Sequence, residues 1–345
     1  MRIDFHFYTI YALARAAGFS PDDAYVIAYS SQYTDDDVQE NKILFENGGE
    51  FEPFITAHRI LDPHTVSERI CKRVWVPFHF LPGNQGVGNE KLLTKANGDI
   101  VQEMIVQFLR EDGEDIKPFR RHLLGIILHA YADTWSHQSF MGVVDDRNRV
   151  NNLNVDGKNI YIYQLAPPLG HAQAGSTPDE PRLAWEYTDN QGDRHRLANA
   201  DRALEAAKHC HILMSQFMDK FSREFRDSDP IDWPQIEGRI ADLFHYQQDL
   251  RGCINSWGEA ISNGGFGFRP REKDINLIYD EREWFNIAIT SESRINNETG
   301  FFDNYFTKNE NYEDSDLYRF NEAATFYWAV LFAGNKNVIR LGLYN

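Results

Sequence analysis

The chain has 345 residues, 42% of them hydrophobic, which is enough apolar mass for a sizeable core and too much for a disordered chain. Lys and Arg number 35 against 52 Asp and Glu; the formal charge of −17 opposes non-specific binding to nucleic acid or to an anionic membrane. Three cysteines, Cys71, Cys210 and Cys253, form no C-x-x-C pair, which argues against a disulfide framework or a thiolate zinc site and predicts buried, inert thiols.

The opening "MRIDFHFYTI" has no charged segment followed by an apolar one, so no secretory signal is read. The expectation is a soluble, cytoplasmic protein, because the longest apolar run, "AATFYWAVLFAG" at 323–334, is too short to span a bilayer.

Helical periodicity dominates the chain. A first helix is predicted over 5–19, stopping at Gly18, and a second begins at "SPDD", with Ser20 as N-cap, Pro21 in the first turn and acids behind it. Residues 46–90, with "NGGE", "DPHT" and "VPFHFLPGNQG", read as loop with short strands. Helices return at about 89–111 and 117–139. "NVDGKN" followed by the alternating "IYIYQL" predicts a hairpin, and "RLAWEYTDNQGDRHRL" a second one with its turn at "DNQGD". Long helices follow at about 198–225 and 233–261, and a last one at about 317–333. The Gly-, Asn- and acid-rich stretch between them, 263–316, suggests one short helix near 280–290. The pattern predicts one mainly helical domain over 1–345 with embedded β-hairpins, the hairpin-rich insertion lying at about 141–197.

Chemistry concentrates in "HLLGIILHAYADTWSHQSF", residues 122–140. His129, Asp133 and His137 follow at four-residue steps, each rotating by about 40° on a helix, so all three project from one stripe. Asp133 is the decisive member, because an ionised carboxylate on an otherwise apolar helix costs several kcal/mol unless it is paired or coordinated. A buried pair with Arg120, Arg121 or another Arg from a neighbouring helix is the plain alternative to a metal. Further imidazole and carboxylate donors stand at the edges of apolar segments: His6, the run Asp35, Asp36 and Asp37, His79 (with His58 as a substitute), His171 and Asp179.

The other histidines carry less. His122 reads as solvent-facing; His209 and His211 point to different helix faces; His64, His195 and His245 read as surface or packing. No phosphate-binding glycine loop, nucleophile elbow, H-E-x-x-H or adjacent His-Asp pair is found, and the glycines of "NGGFGF" read as loop.

"LLGIILHAYADTWSHQSF" resembles the central helix of the zinc-dependent phospholipase C superfamily, which includes the fungal single-strand-specific nucleases. Over most of its length the chain also resembles a microbial family that shares "IDFH", "AYSSQY", "PFHFLP", "YADTW" and "LGHA". The resemblance implies a multi-helix, phospholipase C/nuclease-like bundle holding two or three zinc ions. His6, one of Asp35 to Asp37, His79, His129, Asp133, His137, His171 and Asp179 would be the ligands. An α-amino group completes the superfamily's set, and here Asp4 is the residue expected to replace it.

The implied activity is a phosphoesterase in which zinc activates water, with Asp133 bridging two metals and Asp36 or Asp37 as an alternative base. His129, His79 and the aspartate of the second helix would fill the first position, His137, His171 and Asp179 the second, and His6 the third. Substrates of this kind are phosphoester-bearing small molecules, lipids or short nucleic acids, met without membrane insertion. The competing expectation is a non-catalytic helical protein that keeps a structural metal or a buried His–Asp network and binds a partner.

Overall fold

The computed structural model describes residues 1–59, 62–246, 248–296 and 302–334. A π-helical segment, Asp4–Thr9, runs into α1 (Ile10–Ala16), and Gly18, at φ +99°, ends it where a side chain would strike the Ser228 carbonyl oxygen at 2.6 Å. Helix α2 (Pro21–Asp36) starts as predicted: Ser20 Oγ accepts the Asp23 backbone N–H at 3.1 Å. Strands β1 (Ile43–Leu44) and β2 (Glu50–Phe51) pair antiparallel.

The next stretch differs from the loop expected there. Ser67 caps α3 (Glu68–Ile70), which continues as the π-helical segment Cys71–His79. Pro77 lies inside this segment and can donate no backbone hydrogen bond, so a wider turn replaces the usual ladder. The helix expected at 89–111 is likewise a 3-10 turn, Gly88–Leu92, followed by α4 (Asp99–Arg110).

Helix α5 (Arg120–Ser136) carries the central motif and is buried on nearly all sides. It packs against α2 with unusual intimacy. A Cβ on Gly125 would fall 2.4 Å from the Ile27 carbonyl oxygen and 2.5 Å from Ser30 Cβ, so only glycine lets the two backbones meet. Ile27, Ala28, Leu124, Ile127 and Leu128 are fully or nearly fully buried in the main core around this contact.

Strands β3 (Asn151–Val155), β4 (Lys158–Asn159), β5 (Ala184–Thr188) and β6 (Arg194–Ala198) form one antiparallel sheet in the order β4-β3-β5-β6. Both expected hairpins are present, but "IYIYQL" is not a strand: Ile162–Leu165 is a 3-10 turn with Tyr161, Ile162 and Leu165 exposed. A small second core of Phe80, Phe140, Val150, Leu153, Ala174, Trp185 and Tyr187 fixes this sheet beside α5.

Helix α6 (Asn199–Phe225) matches its prediction. The helix read over 233–261 is two, α7 (Trp233–His245) and α8 (Leu250–Ser262), the second capped by Asp249, whose carboxylate accepts the Gly252 N–H at 2.8 Å. The glycine-rich stretch holds more than one short helix. It contains α9 (Glu272–Ile275), α10 (Glu283–Ala288) and the antiparallel pair β7 (Ile289–Ile295) and β8 (Phe302–Lys308), before α11 (Asp316–Gly334). Strand β7 is exposed after its first residue, so "ITSESRI" carries no apolar alternation to announce it.

A buried pair ties α1 to α9: Arg15 Nε donates to Asp274 Oδ1 at 2.8 Å, and the Tyr11 hydroxyl donates to the same oxygen at 2.8 Å. All three cysteines are buried. Among the described residues, no helix is long and apolar enough to cross a membrane.

Candidate metal centre

Five parts of the fold bring the predicted donors together. The π-helical turn before α1 supplies His6, the end of α2 supplies Asp35, and the π-helical segment after α3 supplies His79. Helix α5 and its C-cap supply His129, Asp133 and His137, while the turns around 171–179 supply His171 and Asp179. Three groups of donor atoms result, each within 4.8 Å: Asp35, His79 and His129; His6, His129 and Asp133; His137, His171 and Asp179.

Backbone carbonyls fix the tautomers of four of these histidines. A carbonyl oxygen can only accept, so the facing ring nitrogen must carry the proton. His129 Nδ1 donates to the Ser31 carbonyl at 2.8 Å, His79 Nε2 to Thr56 at 2.9 Å, His137 Nδ1 to His79 at 2.7 Å and His171 Nδ1 to Gly175 at 2.9 Å. In the neutral ring the other nitrogen is then a bare lone pair, and each points inward.

His129 Nε2 and His79 Nδ1 consequently face each other at 3.1 Å, two acceptors with nothing between them to share. Asp133 Oδ2 lies 3.2 Å from His129 Nε2, 3.5 Å from His79 Nδ1 and 3.6 Å from His137 Nδ1, yet it is buried and makes no hydrogen bond. His137 Nε2 lies 3.1 Å and His171 Nε2 3.4 Å from the Asp179 carboxylate. Such a set of outward N–H donors and inward lone pairs is how imidazoles are held around metal ions.

The protonation states of three of the rings and of two of the carboxylates fit, whereas burial raises the Asp35 carboxyl well above its ordinary value. Burial holds His129 and His171 down at about 4, and holds His6 well below its ordinary value, so these rings are neutral near pH 7. Burial alone would raise the Asp133 carboxyl; His137, the α-amino group, His129 and His6 override it and hold it well below the usual range. Asp179 behaves alike under His171, the α-amino group and His137.

Neither Arg120 nor Arg121 reaches Asp133. Arg120 pairs with Glu224 at 2.9 Å and Arg121 with Asp23 at 2.8 Å. Instead the Met1 α-amino nitrogen lies 2.6 Å from Asp133 Oδ1 and 3.4 Å from Asp179 Oδ1. Burial works to lower this amine, but the attraction of Asp133, Asp179 and Asp35 raises it to about 11. Asp4, the expected replacement for the amine, is turned away and binds Arg2 at 3.0 Å.

Of the three consecutive aspartates, only Asp35 faces the centre. Asp36 accepts from the Tyr279 hydroxyl at 2.6 Å and from Gln32 at 3.0 Å, and Asp37 is buried outside the three groups, its carboxyl pushed up to about 7 by that burial. His58 is likewise engaged elsewhere, between Glu40 at 3.0 Å and the Thr65 hydroxyl at 2.7 Å, so His79 is the histidine at the centre. His122 is not solvent-facing as expected: it is fully buried and lies 2.9 Å from Asp316.

Residues without metal-binding chemistry shape the centre, and sequence reading missed them. Phe80 stacks on His137 with centroids 4.5 Å apart, and Gly170, of "LGHA", clears space for that ring: a Cβ there would fall 2.3 Å from Phe80 Cζ. Asn199 is buried at the start of α6 and donates to the carbonyls of Thr177 at 2.7 Å and Glu180 at 3.0 Å, clamping the turn that carries Asp179. Arg202 Nε donates to the Trp135 carbonyl at 2.8 Å, closing the C-terminus of α5 next to His137.

The sequence profile of the family of unknown function DUF6765 matches residues 1–334. The chain belongs to that family. Every residue placed in the centre lies within the matched span. No curated protein and no solved structure matches the chain.

Proposed function

We propose that this chain is a metal-dependent phosphoesterase with a helical bundle of the phospholipase C/single-strand nuclease kind, acting on phosphodiester or phospholipid-like substrates. The reading is carried by one observation: buried His79 and His129 turn unprotonated nitrogens on each other at 3.1 Å beside an unpartnered carboxylate oxygen of Asp133, an arrangement that a cation satisfies. An all-imidazole and carboxylate donor set suits zinc.

Asp35, His79, His129 and Asp133 would hold a first ion. His137, His171 and Asp179 would hold a second. His6 and the other Asp133 oxygen would hold a third. Divalent ions in these places supply water acidified towards neutral pH and positive charge opposite phosphoryl oxygens.

The chain's own groups do the rest. His6, His129 and Asp133 are fully buried and exclude bulk water, whereas the Asp35 side chain, 31% exposed, is the edge of the centre that an incoming substrate meets. Asp35 is therefore the carboxylate placed to take a proton from attacking water. Asp36 is occupied by Tyr279 and Gln32 and does not serve as that base.

The near-complete burial of the centre favours one other reading, a structural metal in a protein that acts by binding. Zinc analysis of the purified chain, followed by hydrolysis of bis(p-nitrophenyl) phosphate with and without chelator, separates the two. The phosphoesterase reading predicts bound zinc and turnover that chelation abolishes and zinc restores. Bound zinc with no turnover on a panel of phosphodiesters and phospholipids would support the structural role instead.

A further inference from the structure

The first cation position draws its ligands from three separate elements, and the fold must set their distances. His129 is set directly: its Nδ1 proton rests on the Ser31 carbonyl of α2. Asp35 belongs to α2 itself. His79 has no bond of this kind to α2, since its outer nitrogen donates to the Thr56 carbonyl in the loop after β2.

Thr56 closes that gap. It is fully buried. Its hydroxyl donates to the Thr34 carbonyl at 2.9 Å, its backbone N–H donates to the Asp37 carbonyl at 3.3 Å, and the Ala57 N–H donates to the same oxygen at 3.1 Å. One residue is thus fastened to the α2 carbonyl row on both sides of Asp35 while its own carbonyl fixes the tautomer and direction of His79. The second position is not bonded to Thr56 directly; its tautomers rest on the backbone carbonyls of His79 and Gly175 and its carboxylate on the Asn199 clamp.

We propose that Thr56 is the positioning residue of the first cation position, setting the separation of Asp35 and His79 by joining the His79 ring to the last turn of α2. The inference rests on the metal-centre reading above. Removing the hydroxyl leaves the Thr34 carbonyl unpaired and frees the Thr56 carbonyl to drift, and loss of a ligand's supporting partner typically weakens metal binding about 10- to 100-fold.

The test titrates the metal-free, full-length chain with zinc against a chromophoric chelator, comparing wild type, Thr56→Val and Thr56→Ser. Thr56→Val should weaken one class of sites by about tenfold or more and leave the tighter or weaker remainder unchanged, while Thr56→Ser, which keeps the hydroxyl, should follow the wild-type isotherm. Isotherms for Thr56→Val that superimpose on wild type, or that weaken at every site in parallel with melting temperature, would overturn the proposal. Imidazole nitrogen NMR of the wild type supplies a check independent of how well the valine chain folds: His79 must carry its proton on Nε2, and the opposite tautomer overturns the role of Thr56. A wild type that takes up no zinc would remove the centre and Thr56's role together, an outcome distinct from zinc binding that ignores the hydroxyl.

Discussion

Asp133 has no exposed surface: imidazoles crowd its Oδ2, the Met1 ammonium and the His6 ring lie on its Oδ1, and Arg120 and Arg121 pair elsewhere. Its buried place among imidazoles was legible because a carboxylate in an apolar helical stripe has few affordable explanations. Asp35 was not separable from Asp36 and Asp37. Successive residues rotate by about 100° on a helix, so spacing places one of the three inward without saying which. His122 was misread for a related reason, since "RRH" looks polar until Asp316 arrives from α11 to bury it. That pair gives a pH prediction. Burial holds His122 below its ordinary value, so the unfolded chain takes up the proton first as pH falls, and the native state loses stability below about pH 6.5. Urea unfolding at about pH 7.5 and about pH 5.5 should show this loss, with a shallower pH dependence in His122→Gln. Asn199 adds a second prediction: Asn199→Ala leaves two carbonyls and the Trp185 indole N–H without their partner, and should cost about 1–3 kcal/mol in chemical unfolding.

At the scale of elements, α2 and α5 form the frame. Their caps, lengths and apolar faces were readable, while the closeness of their approach was not, because a lone glycine in a helix signals nothing about what crosses it. Gly125→Val should therefore force the helices apart. The expected result is a loss of about 1–3 kcal/mol or more in stability, together with weaker zinc binding, since the Ser31 carbonyl would leave His129. Wild-type stability and zinc affinity in that variant would show that the contact is slack. His79 was assigned from its residue type, yet its π-helical setting was invisible, residues 46–90 having read as loop with short strands where the structure carries a widened helix through Pro77.

Across the whole molecule, mainly helical architecture and the paired hairpins followed from periodicity and turn residues. The β7–β8 hairpin did not, because "ITSESRI" shows no apolar alternation. Candidate donors scattered from residue 6 to residue 179 would make metal loading a property of the assembled fold. Zinc at about 100 times its dissociation constant should then stabilise the chain by about 2.7 kcal/mol, an increase that a chelator reverses in a thermal melt. The most direct test compares metal content in wild type and Asp133→Asn after identical purification and dialysis, by elemental analysis. The account predicts more than one zinc ion per wild-type chain and loss of most of it from Asp133→Asn; a variant that carries as much zinc as the wild type would contradict it.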